Sequence, residues 1–130
     1  MDGPLEALVT CADTEYLDVL ASFLEECGLT TIPSSTVKEA QAILTRRPIR
    51  LVFCEDGLPD GGFREILDAA KRARVRIPVV VMSNSCCWDH YLRAMHRGAF
   101  DYIKYPPCRA EVEWVIQNVF RPCKGWLSRS

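Results

Sequence analysis

The stretch Ile77-Pro78-Val79-Val80-Val81-Met82 is the most apolar in the chain. It lacks the in-and-out alternation of a half-exposed strand. It reads instead as a central strand buried on both faces, which is the pattern of a parallel sheet. Toward the N-terminus, Leu51-Val52-Phe53-Cys54 is a second continuous apolar strand, bounded by Arg50 and Glu55. Leu5 to Cys11 reads as a third strand, Leu29 to Ile32 as a short fourth, and Asp101 to Lys104 as a fifth on the C-terminal side.

Helical patterns fill the intervals. Tyr16, Val19, Leu20, Phe23, Leu24 and Cys27 recur every three or four residues and predict an amphipathic helix that Gly28 ends. Thr36 followed by Glu39 is a capping box, opening a helix whose inner face carries Val37, Ala40, Ile43 and Leu44. Asp60 is placed to cap the next helix, with Phe63, Ile66, Leu67 and Ala70 inward. Trp88, Leu92 and Met95 give a short fourth helix ended by Gly98, and Val112, Val115, Ile116, Val119 and Phe120 a fifth. Strands alternating with helices imply a parallel sheet covered on both faces, with right-handed crossovers. The expected fold is a flavodoxin-like (βα)5 three-layer sandwich, with a five-stranded parallel sheet in the order 2-1-3-4-5. In such folds the functional crevice lies at the carboxyl ends of strands one and three. That rule selects Cys11-Ala12-Asp13 and Glu55-Asp56-Gly57.

Composition narrows the function classes. The chain has 130 residues, 48% of them hydrophobic and 25% charged, as expected of one ordinary globular domain. The formal net charge of -1 makes no electrostatic case for nucleic acid or an anionic membrane surface. No apolar run approaches the ~20 residues of a membrane span, and the N-terminus lacks the basic region of a secretory signal. The expected location is the cytoplasm. Seven cysteines are many for this length, but the number is odd and no pair has zinc-site spacing. Cys11, Cys27 and Cys54 lie in or beside apolar runs and read as small buried hydrophobes. The adjacent Cys86 and Cys87 are the ones expected to be exposed and the sole redox suspects.

Three motifs, in this order, resemble the receiver domains of bacterial response regulators, over about residues 5–121. They are Leu51–Gly62 (LVFCEDGLPDGG), Ile77–Ser83 (IPVVVMS) and Gly98–Pro107 (GAFDYIKYPP). The resemblance places Glu55 at the phosphoacceptor position, three residues before Leu58, where the family has aspartate. It places Cys11 and Ala12 where the family has two acids that hold magnesium, followed by Asp13. Ser83 and Tyr102 stand at the switch hydroxyl and the switch aromatic. Tyr105 stands at the position of the lysine before Pro106, a proline that follows a cis peptide bond in the family; Lys104 is one residue early. Thus the acceptor, the acidic pair and the lysine are all replaced. A thiol and a methyl group cannot supply the carboxylate oxygens a hard cation takes. Phosphoryl transfer also needs its charge neutralised by basic groups or a metal.

These replacements imply an atypical receiver that keeps the fold without aspartyl phosphorylation. It is expected to be no enzyme, to need no cofactor or metal, and to signal by binding proteins: an output domain, a histidine kinase or itself. Glu55 reads equally as a built-in imitation of a phosphorylated aspartate and as a tolerated polar residue. Asp56 is expected to face away from the pocket by strand alternation. Ser83 and Tyr102 are expected to be a satisfied hydroxyl and a packed ring rather than a working switch. Trp114 lies about 200° from Val112 and points off the core stripe. With Trp88 it is a candidate contact on a face made by the fourth helix, fifth strand and fifth helix, through which a homodimer is possible. The chain divides into a receiver-like domain, residues 1–121, and a tail or linker stub, residues 122–130. Two other readings remain: a phosphorylatable receiver using Glu55 or Asp56 with Asp13, and a small-ligand binder using the vacated crevice.

Overall fold

The structure is a computed structural model that describes residues 5–73, 76–84 and 87–120. Five strands form one parallel sheet: β1 (Leu5–Thr10), β2 (Leu29–Ser34), β3 (Ile49–Glu55), β4 (Val79–Ser83) and β5 (Asp101–Lys104). Their spatial order is β2-β1-β3-β4-β5, the expected one. Five helices complete the wind: α1 (Thr14–Glu26), α2 (Val37–Arg46), α3 (Phe63–Arg72), α4 (Trp88–His96) and α5 (Arg109–Phe120). Gly57–Leu58 and Gly61–Gly62 add a small antiparallel pair just before α3.

Strand alternation sorts the core into two layers. Val52, Cys54, Val79 and Val81 face α2, α3 and α4, whose Ala40, Leu44, Ile66, Ala70 and Ala94 cover them. Leu51, Phe53, Val80 and Met82 face α1 and α5, whose Leu20, Leu24, Val112 and Val115 cover them. The central strands are therefore apolar at consecutive positions because both faces are covered. β2 runs two residues longer than expected and carries Pro33, tolerable because β2 is an edge strand.

The helix ends follow from caps. Asp13 caps α1, its carboxylate accepting from the Glu15 and Tyr16 amides. Gly28 and Gly98 follow α1 and α4 at φ of +92° and +103°, a conformation open to glycine at little cost. Thr36 accepts from the Glu39 amide as the capping box requires, but Glu39 accepts from Ser35, one residue earlier than expected. Asp60 does not cap α3. Its carboxylate reaches across to accept from the Val37 and Lys38 amides at 2.7 and 3.1 Å, so it caps α2. Glu65 instead accepts from the Gly62 amide at the start of α3. The reason is spatial: the turn after β3 runs beside the first turn of α2, whose orphan amides are the nearer donors.

Two helical faces differ from expectation. Val19 is 44% exposed, because it lies about 100° from Leu20, outside the stripe that Leu17, Leu20 and Leu24 present to the sheet. α4 buries Ala94 and half-buries Tyr91 and Met95, leaving Trp88 and Leu92 exposed. Cys27, expected inside, is exposed, since it caps α1 beyond the covered face.

Candidate functional site

The carboxyl ends of β3 and β4 and the chain just after β5 surround a crevice of about 290 Å3, lined by Glu55, Asp56, Gly57, Met82, Ser83, Asn84 and Tyr105. It adjoins the point between β1 and β3 where the winding direction of the sheet reverses, on the β3 side. A larger hollow, about 630 Å3, lies at the opposite end of the strands between the last turns of α2 and α3. Its Arg46 and Arg72 sit where cations offset helix dipoles, and it contains none of the predicted site residues.

Alternation divides the crevice into two halves. On the α1/α5 side, Cys11, Glu55 and Tyr105 come together with Asp13. Tyr105 packs with the core of that side, and its hydroxyl donates to an Asp13 carboxylate oxygen at 3.2 Å. The Cys11 sulfur lies 3.6 Å from the same hydroxyl and 3.6 Å from the Asp13 carbonyl. Glu55 accepts from the Ala12 amide at 2.9 Å. Burial, then its contacts with Cys11 and Asp13, push the Tyr105 hydroxyl well above the usual tyrosine range. Burial likewise raises the Cys11 thiol, against the effect of its contact with the Tyr105 hydroxyl. Both groups are thereby held neutral.

Tyr16 extends this cluster, and sequence reasoning missed it. Its hydroxyl donates to the Pro107 carbonyl at 2.6 Å, and its ring meets Tyr105 edge-on at 5.1 Å. The peptide bond between Tyr105 and Pro106 is cis. Three contacts thus tie the segment after β5 to the start of α1.

On the α2–α4 side, Ser83 donates to an Asp56 carboxylate oxygen at 3.2 Å. Asp56 therefore does not face away from the crevice, contrary to expectation. Alternation does put it opposite Glu55, but Ser83 lies on that same side, in line with Val79 and Val81. Counting parity along both strands finds this pair. Tyr102 packs against the same layer and meets Tyr91 edge-on at 6.1 Å, while Trp88 stacks on Tyr91 at 5.2 Å. Lys104 is exposed. Trp88 is 67% and Trp114 54% exposed. Cys86 and the tail, residues 122–130, lie outside the described residues; Cys87 is exposed.

The receiver resemblance implies magnesium, and the donors do not fit it. At the end of β1 stand a buried thiol and a methyl group. One Asp13 oxygen caps α1 and the other accepts from Tyr105. Among the described residues no group of three or more His, Cys, Asp or Glu is placed to hold a metal ion. No helix among them is long and apolar enough to cross a membrane.

The architecture is the CheY-like, flavodoxin-like α/β fold. A receiver domain from Methanospirillum hungatei superposes with a TM-score of 0.80 at 22% identity, covering 90% of this chain and 94% of that one. The NtrC4 receiver, described as a dimer, superposes at 0.82 with 21% identity, covering 88% of this chain and 95% of that one. In sequence the chain is 27% identical over 116 residues to the response regulator PilR of Pseudomonas aeruginosa, spanning 89% of this chain and 26% of PilR. It is 28% identical over 94 residues to RegA of Rhodobacter capsulatus, spanning 72% of this chain and 51% of RegA. No family model matches. Fold, crevice position and these likenesses agree: the chain has the CheY-like fold and is similar in sequence to response regulators of two-component signalling. It covers only a fraction of the length of these relatives.

Proposed function

We propose that this domain is an atypical, cytoplasmic receiver that signals through protein contacts, without aspartyl phosphorylation and with no catalytic activity of its own. One observation carries the reading: the Tyr105 hydroxyl, bonded to Asp13, stands where the resemblance expects a lysine ammonium. An incoming phosphoryl group meets two carboxylates, Glu55 and Asp56, and no cation lines the described crevice. An uncompensated pair of like charges ~4 Å apart costs about 4 kcal/mol at a surface-like dielectric. That is roughly three orders of magnitude in rate.

The proposed contact face is α4, β5 and α5, where Trp88 and Trp114 are exposed on the outer sides of their helices. Its partners would be an output domain, a histidine kinase or a second copy of the chain. Incubation with acetyl phosphate and magnesium, followed by intact-mass measurement, tests the central claim. The expected result is an unchanged mass. A near-stoichiometric phosphoryl adduct on Glu55 or Asp56 would replace it with the reading of a phosphorylatable receiver using an unusual acid set.

A further inference from the structure

The charges of this chain cancel overall but not locally. It has 16 Lys and Arg against 17 Asp and Glu. At the carboxyl ends of the strands the crevice is lined by Glu55 and Asp56 and, among the described residues, by no cation. At the amino ends the sign is reversed. The hollow of about 630 Å3 between α2 and α3 is lined by Arg46, Arg47 and Arg72. A second hollow, about 390 Å3, adjoins it across Ile77, which lines both. It lies between α3 and the turn from α4 into β5, and Lys71 and Arg76 line it. Among the described residues no carboxylate lines either hollow.

Topology gathers these cations. Each helix runs back against the parallel strands, so α2, α3 and α4 all end at the amino edge of the sheet. A cation in a last turn offsets the helix dipole, which accounts for Arg46, Lys71 and Arg72 one at a time. It does not account for Arg76, which stands on non-helical chain before β4. Of the five, Arg47 alone has a carboxylate partner among the described residues, donating to both Glu6 oxygens at 2.7 and 3.1 Å. The other four are exposed. The Lys71 stem lies across the turn after α4, where a Cβ added at Gly98 would come within 3.2 Å of its Cε.

The rest of the lining is apolar. Leu44, Ile49 and Ala69 contribute to the first hollow, Leu67 and Pro78 to the second. Phe100, 37% exposed, also lines the second, and its amide donates to the Val79 carbonyl at 2.7 Å. Apolar hollows rimmed by cations fit an occupant that is acidic and apolar by turns. A nucleic-acid backbone would meet the cations and leave the apolar walls bare. Stacked bases need aromatic platforms, and Phe100 is the one ring lining these hollows among the described residues.

We infer that the amino edge of the sheet, from the end of α2 to the turn after α4, is a docking surface for an acidic peptide segment of a partner protein, one whose carboxylates are interspersed with leucine or phenylalanine side chains. The carboxylates meet Arg46, Arg72, Lys71 and Arg76, and the apolar side chains enter the two hollows. The surface lies at the opposite end of the strands from the crevice, so its use does not depend on whether the crevice takes a phosphoryl group.

The test is titration of the isotope-labelled 130-residue chain with a synthetic peptide of glutamate interspersed with leucine and phenylalanine, read by amide NMR and fluorescence anisotropy. Signals of residues 44–49, 69–73 and 98–100 should shift, and those of residues 55–57 should not. Arg46→Glu together with Arg72→Glu puts like charges against the peptide and should weaken binding by about tenfold or more. Arg64→Glu, an exposed cation in the first turn of α3 at the other end of the helix, should leave affinity unchanged. Amide signals of β1 and β2 report that each variant is folded, and the wild-type shift map decides by itself if the double reversal is not. Equal affinity for polyglutamate of the same charge would reduce the surface to a diffuse positive field. Tighter binding of a single-stranded oligonucleotide of that charge would assign it to nucleic acid. Either result would overturn the inference, as would no binding of the peptide or shifts confined to other faces.

Discussion

The hydroxyl of Tyr105 donates to Asp13 across 3.2 Å, and this bond joins the segment after β5 to the N-cap of α1. A second bond, from Tyr16 to the Pro107 carbonyl at 2.6 Å, runs beside it. The two differ in what is left behind when each is cut. Asp13 is exposed, so water replaces Tyr105, and Tyr105→Phe should cost about 0.5–1.5 kcal/mol. Pro107 is buried, so Tyr16→Phe strands its carbonyl and should cost about 1–3 kcal/mol. Urea unfolding of both variants checks the order. A larger loss for Tyr105→Phe would show that Tyr16 is not the main tie.

Much of the fold is legible in the sequence. Consecutive apolar positions in β3 and β4 imply the two-faced sheet, and the observed strand order is the one expected of a doubly wound fold of this size. Glycines at positions 28 and 98 mark helix ends correctly. Contacts between segments distant in sequence escape such a reading. Nothing local to Asp60 says that the first turn of α2 lies within its reach, 23 residues back. Asp56 escapes for a different reason: alternation gives its side of the sheet correctly, but only the parity of β4 puts Ser83 on that side too. Tyr16 reads as a core residue of α1, and a ring that buries its body while its hydroxyl serves a distant carbonyl leaves no periodic mark.

Asp60 makes a pH-dependent contribution. Its hydrogen bonds, first that from the Val37 amide, hold its carboxyl below the usual carboxylate range. A group whose folded pKa is depressed stabilises the fold above its unfolded pKa, and the gain vanishes as pH falls through the folded value. The melting temperature of Asp60→Ala should therefore lie below wild type at neutral pH and converge with it on acidification below that range. A constant gap at every pH would mean that the carboxylate charge plays no part.

The described cysteines should separate by exposure. Cys87 and Cys108 are exposed and should react first with iodoacetamide at neutral pH. Cys27 should follow more slowly, because desolvation and then the nearby Glu113 and Glu26 raise its thiol. Cys11 and Cys54 are buried, with thiols raised chiefly by desolvation, and should react only on unfolding. Mass mapping of a labelling time course gives the order. Early labelling of Cys11 would show that the Tyr105 cluster opens in solution.

Trp114 offers a test of the contact face. Its ring projects from the outer side of α5, opposite the buried Val112 and Ile116. Surface truncations away from special features usually change stability by less than about 0.5 kcal/mol. Trp114→Ala should thus leave the melting temperature nearly unchanged while weakening self-association in analytical ultracentrifugation, or binding to a partner. Retained association, together with a lowered melting temperature, would assign the ring a packing role instead.

Restoring aspartate at position 55 should not restore a working receiver. Glu55 now accepts from the Ala12 amide, and Glu55→Asp shortens that reach by one methylene while supplying only the nucleophile. Cys11 and Ala12 still give no oxygen for a divalent cation, and Tyr105 still puts a neutral hydroxyl where an ammonium is needed. The like-charge cost of about 4 kcal/mol stays in place. Rescue should need Cys11→Asp, Ala12→Asp and Tyr105→Lys together with Glu55→Asp. Those changes also remove the thiol and hydroxyl that join Asp13 to the segment after β5, so the quadruple variant should be less stable than wild type until magnesium binds. Incubation of the single and quadruple variants with acetyl phosphate and magnesium, followed by intact-mass measurement, decides the matter. A phosphoryl adduct approaching stoichiometry on the single variant would show that the replaced residues were never limiting.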